Sequence, residues 1–182
     1  MARKPRIDVG GEFYHVLNRV NARVKILFTD KEYLMLEKIL CEAKSRFNMR
    51  IIAYCLMPNH FHLILYPLKD GDMQKFMHWI TFMHAQLWHK EHGTTGTGHL
   101  YQGRYKSFLI KDSRHLMAEL VYVERNPVRA KLVDKAIHWR FSSARHRFGS
   151  KNKLITDIPI EFPENYKDLL NDNISLRNVN GV

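Results

Sequence analysis

Apolar residues recur along this chain at two alternating periods. After a Gly-Gly break, Phe13-Tyr14-His15-Val16-Leu17 predicts a first strand. Residues 29–47 predict a helix, with Thr29 and Glu32 at capping-box spacing and Leu36, Leu40, Ala43 and Phe47 one turn apart. RIIAYCLM (50–57) is a near-continuous apolar run, the pattern of a strand covered on both faces. Pro58-Asn59 makes a short turn, and 60–66 then alternate: His60, His62, Ile64 and Tyr66 face one way, Phe61, Leu63 and Leu65 the other. Asp72 is placed to cap a second helix over 73–91, with Met73, Phe76, Met77, Ile80, Met83 and Leu87 as its buried stripe. Tyr105–Lys111 predicts a further strand. Residues 113–126 predict a third helix ended near Pro127, and 139–148 a short basic helix. The order strand, helix, strand, strand, helix, strand, helix predicts an α+β fold: a ferredoxin-like antiparallel sheet flanked by helices. Internal repeats and low-complexity blocks are lacking. GTTGTGH (93–99) is a loop without the Gly-Lys-Ser/Thr of a phosphate loop.

The 182 residues, 45% of them hydrophobic, suffice for one domain with a core. No apolar run approaches the ~18 residues of a membrane span, and the basic start MARKPRIDVGG lacks a signal peptide's apolar stretch. A cytoplasmic protein is expected. Cys41 and Cys55 lie in apolar patterns without metal-knuckle spacing and are expected as buried free thiols. Charge changes the picture most. The chain carries 29 basic against 18 acidic residues, net +11. Residues 151–182 are net −1, so the excess lies in residues 1–150. Such a surface either attracts nucleic acid or is a solvated basic face.

Two clusters carry candidate chemistry. His60 and His62, alternate on one strand, bring two imidazoles to one side, as a metal-ligand pair or as two satisfied core histidines. A metallo-hydrolase would commonly add Asp or His just downstream, where Leu63-Ile64-Leu65 stand instead. On the third helix, Leu116, Leu120 and Val123 form the core stripe, and Tyr122 and Asn126 lie opposite, one turn apart, with Glu119 near them. That face presents a nucleophile and an oxygen ligand, or an amphipathic tyrosine and a helix cap. His15 is expected to pack or hydrogen-bond near the first strand.

The ordered set PNHFHLIL, QGRYKSFLI, LVYVERNPVRAKLV and WRFSSARHRF, with GGEFYHVLNRVNAR before it, resembles the single-tyrosine HUH transposases, most of all the REP-associated tyrosine transposases. The likeness spans about residues 8–150. It implies a transposase domain over 1–150 and leaves 151–182 as an extension of unknown role, either passive or folded back over the basic face. It implies that His60 and His62 bind Mg²⁺ or Mn²⁺, with Asn126 as third ligand. It implies that Tyr122 is the nucleophile, cleaving and rejoining single-stranded, hairpin-bearing DNA through a 5′-phosphotyrosine. Within the REP-associated branch it implies a monomer rather than a site-sharing homodimer, at work on the nucleoid.

For the DNA track the candidates are Arg104, Lys106, Arg114, Arg125, Arg129 and Arg145, together with Lys111, Lys131, Arg140 and Arg147. Tyr101, Tyr105, Trp139 and Phe141 are interspersed as base-stacking or core aromatics. The competing class is a non-catalytic DNA- or RNA-binding module on the same fold, but the glycine-aromatic strand motif of RNA-binding sheets is not evident.

Overall fold

The structure, a computed structural model, describes residues 7–149 and 153–171. Four strands, β1 (Phe13–Arg19), β2 (Arg50–Met57), β3 (His60–Tyr66) and β4 (Lys106–Ile110), pair antiparallel in the order β2-β3-β1-β4. This is the ferredoxin-like order the periodicity predicts. Strands β1, β2 and β3 are largely buried on both faces, and each face of the sheet has its own cover. Helices α1 (Asp30–Arg46) and α2 (Asp72–Glu91) bury Leu36, Leu40, Phe76, Met77 and Ile80 against Tyr14, Val16, Leu63 and Leu65. On the other face, α3 (Ser113–Arg129) lays Leu116, Leu120 and Val123 on Ile52, Ala53 and Ile64. The helices α4 (Ser143–Arg147) and α5 (Tyr166–Asn171) complete that second layer.

Element ends depart from expectation in four places, each for a local reason. Pro127 does not end α3. It sits inside the helix, which runs to Arg129. Termination comes from Lys131 in the left-handed region (φ 56°), where its amide donates to Val128 O and that of Leu132 to Pro127 O, each at 2.9 Å. This is a Schellman closure with lysine where glycine is usual. At α2 the cap is Gly71, left-handed at φ 76°, and Asp72 is the first helical residue. Leu87 is 37% exposed, and the buried position on that turn is His84. Of 139–148, only Ser143–Arg147 is helical. Trp139 instead donates its indole N–H to Leu56 O, and Phe141 stacks on Tyr33 at 4.1 Å. The capping box of α1 forms as predicted, with Glu32 accepting from the Phe28 and Thr29 amides. Both cysteines are free; Cys55 is buried and Cys41 half-buried.

Residues 153–171 lie against this body. Thr156 donates its amide to Ile51 O, and Tyr166, Leu169 and Leu170 enter the second core. Tyr166 also joins a buried polar cluster. The Glu124 carboxylate, without solvent exposure, accepts from Ser143 Oγ (2.6 Å), Arg147 Nε and Nη2 (3.0 and 2.8 Å) and Tyr166 Oη (2.9 Å). Of the extension 151–182, residues 153–171 pack largely on the second core, and residues 151, 152 and 172–182 lie outside the described residues. No described helix is long and apolar enough to cross a membrane.

Two measurements test this packing. Arg147→Met strands a buried carboxylate and is expected to cost about 3–5 kcal/mol in urea unfolding. Arg140→Met, which breaks a pair with Asp30 whose members are both more than half exposed, should cost under ~1 kcal/mol. Equal losses would deny the buried cluster its special role. The second concerns His84, whose ring is buried in the first core with its Nε2 unpartnered among the described residues. Burial pushes this imidazole down from 6.5 to about 4. The unfolded chain therefore takes up a proton first, and stability is lost as pH falls from 6.5 towards 4. In His84→Gln the fall over that window should shrink by up to about 1.4 kcal/mol per pH unit. An unchanged slope would place the acid sensitivity elsewhere.

Candidate active site

β3 is an inner strand, so the backbone of His60 and His62 is held on both sides. Leu17 and Cys55 flank His62; Arg19 and Met57 flank His60. Cross-strand partners share a face, which puts His15, Leu17, Arg19, Lys106 and Phe108 on the same face as the two histidines. α3 covers part of this face and leaves its margin open.

The His60 and His62 rings stand 5.1 Å apart at 81°. Burial, then the charge of Arg19, pushes His60 down to about 4. Burial, then His15, His60, Arg19 and Arg129, pushes His62 down to about 2. Both rings are therefore neutral near pH 7, each with one ring-nitrogen lone pair. The Nδ1 atoms are engaged within the protein: His60 Nδ1 lies 2.7 Å from Asn59 Oδ1, and His62 Nδ1 lies 2.8 Å from His15 Nε2.

α3 starts at an N-cap, Asp112, whose carboxylate accepts from the His115 amide at 2.8 Å. Its apolar stripe turns Tyr122 toward the strands. The Tyr122 ring centroid lies 5.6 Å from those of His62 and His15, and the Arg129 guanidinium sits 4.9 Å from it. Tyr122 is half-buried, packed at the margin of the second core with its ring beside the two histidines. Asn126 is 9% exposed and donates its Nδ2 to Tyr122 O at 2.9 Å, which leaves Oδ1 as the amide's acceptor atom. The structure thus brings His60, His62 and Tyr122 together and sets Asn126 one turn along α3.

The donor set suits a cation. Two neutral imidazoles about 5 Å apart match adjacent positions around one ion with ~2.1 Å metal–nitrogen bonds. Among the described residues no three His, Cys, Asp or Glu side chains converge as a metal site, and an amide is one neutral oxygen donor that could join the two imidazoles. Asn126 Oδ1, on the same helix and one turn beyond Tyr122, is a neutral oxygen donor of that kind.

The proposed DNA contacts divide. Arg104, Lys106, Arg114, Arg129 and Arg145 are exposed, and Arg125 is half-buried. Lys106 shares the histidine face, and Arg129 touches Tyr122. Arg140 and Arg147, by contrast, are spent on Asp30 and Glu124. The four candidate aromatics are structural. Tyr101 is buried and bonded to His84, Tyr105 and Phe141 are buried, and Trp139 bridges both cores. The exposed ring near the site is Phe108, 52% accessible and 6.2 Å from His15.

Sequence reasoning missed Asn59 and Arg19 beside the site, and, having set Glu119 near Tyr122 and weighed a site role for His15, did not join those two to each other or to His62. Glu119 Oε2 lies 2.8 Å from His15 Nδ1. The available signal was strand alternation, which puts His15 and Arg19 on one face of β1; which strand lies beside β1 is a tertiary fact.

Known proteins resemble this chain in sequence and in fold. A REP-associated tyrosine transposase of Escherichia coli (strain K12) is 26% identical over 138 residues, 74% of this chain and 76% of the relative. A putative REP-associated tyrosine transposase of Haemophilus influenzae is 24% identical over 145 residues, 73% of this chain and 80% of the relative. Among solved structures, a REP-associated tyrosine transposase bound to a REP hairpin superposes with a TM-score of 0.67, covering 89% of this chain and 95% of its own, at 20% identity. That likeness is one of fold. Residues 10–126 match the family model described as "Transposase IS200 like", and the chain belongs to the IS200-like transposase family.

Proposed function

We propose that this transposase cleaves and rejoins single-stranded, hairpin-bearing DNA through a covalent bond between Tyr122 and a 5′ phosphate, with a divalent cation held by His60, His62 and Asn126. The observation that carries the reading is the Tyr122 ring lying beside His62 on one side and Arg129 on the other, all within one chain. A relative that binds a REP hairpin supports hairpin-bearing DNA as the substrate class.

Two imidazoles and an amide oxygen carry no charge, so a bound Mg²⁺ or Mn²⁺ would keep its full charge to polarise a phosphate oxygen. Nitrogen ligands favour Mn²⁺ of the two. The chain's own residues do the rest. Arg129, Arg19 and Lys106 supply positive charge where a phosphate has to lie. Tyr122 Oη attacks phosphorus; the P–Oη bond forms and the P–O3′ bond breaks, its electron pair leaving with O3′. The phenol gives up one proton and the leaving oxygen takes one. The phosphotyrosine keeps the energy of the phosphodiester, so a 3′-hydroxyl can reverse the step on the same or another strand without ATP. The exposed Arg104, Lys106, Arg114 and Arg145, with Arg125 and Arg129, form the track for the DNA backbone.

Ligands and nucleophile of one chain meet without a second copy, which favours action as a monomer. A DNA substrate places its work on the nucleoid, in the cytoplasm.

Incubation with labelled hairpin-bearing single-stranded DNA and Mn²⁺ should give an adduct that survives denaturation and is lost with chelator. Tyr122→Phe should reduce it to background; an adduct that persists would move the nucleophile elsewhere, and cleavage with no adduct would indicate a hydrolase. Arg129→Ala should slow adduct formation about a hundredfold, as for loss of one transition-state charge donor. Arg114→Ala should weaken binding of all sequences alike and reduce the slope of log affinity against log salt by about 1. A sequence-dependent loss would instead assign Arg114 to base reading.

A further inference from the structure

His15 crosses the space between the histidine strand and the tyrosine helix. It lies on β1 opposite Ile64, so His62 is its diagonal neighbour on the same face. Its two ring nitrogens have different partners. Nδ1 is 2.8 Å from Glu119 Oε2 on α3, and Nε2 is 2.8 Å from His62 Nδ1 on β3. His15 is 5% exposed. The other oxygen of Glu119 lies 3.4 Å from His115 Nε2.

The carboxylate fixes the direction of the first bond, and a neutral His15 then sets the second. Burial pushes the Glu119 carboxyl up, but its hydrogen bonds to His15 and His115 help outweigh that and hold the group below the usual range. Ionised, Glu119 only accepts, so the hydrogen of that bond belongs to His15 Nδ1. With one proton on the ring, His15 Nε2 has a lone pair and accepts. The hydrogen shared with His62 is then the one on His62 Nδ1. The lone pair of His62 is left on Nε2, the nitrogen that faces away from His15. Asn59 Oδ1 sets His60 in the same way, with hydrogen on Nδ1 and the lone pair on Nε2.

We propose that Glu119 and His15 are positioning residues: a carboxylate–imidazole relay that fixes His62 in the tautomer able to ligate a divalent cation, and that ties the helix of the nucleophile to the strand of the ligands. The inference rests on the reading above that His60 and His62 hold that cation. Outer-shell partners of this kind fix ring orientation and tautomer in many metal sites. Here the carboxylate stands one helical turn before Tyr122, so a single hydrogen-bonded chain spans both halves of the site.

The test uses ¹⁵N correlation spectra of the histidine side chains in the metal-free protein, and Mn²⁺ affinity read from the signal of the free ion. In the wild type His62 should carry its proton on Nδ1. His15→Phe keeps an aromatic ring but removes the acceptor; His62 should become a mixture of tautomers and Mn²⁺ affinity should fall about ten- to a hundredfold. His15→Gln returns an amide oxygen near the lost nitrogen and should stay within about threefold of wild type, which a merely space-filling role would not explain. Should His15→Phe fail to fold, Glu119→Gln reads the same relay: its amide can donate to His15, which inverts the chain of donors and shifts the His62 proton to Nε2. A wild-type His62 protonated on Nε2, or Mn²⁺ affinity equal in wild type and His15→Phe, overturns the relay alone. Wild-type protein that takes up no Mn²⁺ overturns the reading beneath it.

Discussion

The rotation of α3 about its own axis governs this site. Burial of Leu116, Leu120 and Val123 against Ile52, Ala53 and Ile64 sets that rotation. Successive residues on a helix are separated by about 100°, so one residue of slip would carry Tyr122 and Glu119 away from His62 and His15. It would also lift the apolar stripe from the sheet, at roughly 1.5–3 kcal/mol for each large side chain exposed. Packing energy, spent on residues with no chemistry, is what aims the chemical ones.

Glu124 strengthens that constraint from behind. It lies two residues beyond Tyr122, on a different side of α3, and its partners come from α4 and α5. A buried ion pair contributes little net stability over a well-packed apolar substitute, because desolvation offsets the attraction. Its effect is on alternatives: any other placement of α3 strands a carboxylate and a guanidinium without partners. The segment around residue 166 thereby supports the active-site helix from the far side of the second core.

Much of this was legible because it is local. Period-two alternation through HFHLILY put both histidines on one face before any coordinates, and period 3.6 through LMAELVYVERN separated the core stripe from Tyr122 and Asn126. The ferredoxin-like order followed from the succession of elements. What escaped depends on contacts between distant segments. Arg147 and Arg140 look no different in sequence from Arg145 and Arg129; only the fold shows that the first two meet acids while the others face solvent. Pro127 reads as a stop, yet α3 continues because the closing bonds come from Lys131 and Leu132. His15 needed the diagonal register of β1 on β3 before its second nitrogen found a purpose.

The ligands and the nucleophile are anchored in different ways. β3 is an inner strand with ladder bonds on both sides, whereas side-chain packing and polar side-chain contacts hold α3 against the sheet. Drift in the apolar stripe of the helix can therefore re-aim the phenol while both imidazoles stay where they are. On the proposed reading, descendants of such a chain would lose strand transfer well before they lose the ability to hold a metal ion, and a retained histidine pair by itself is a poor witness that a lineage still moves DNA.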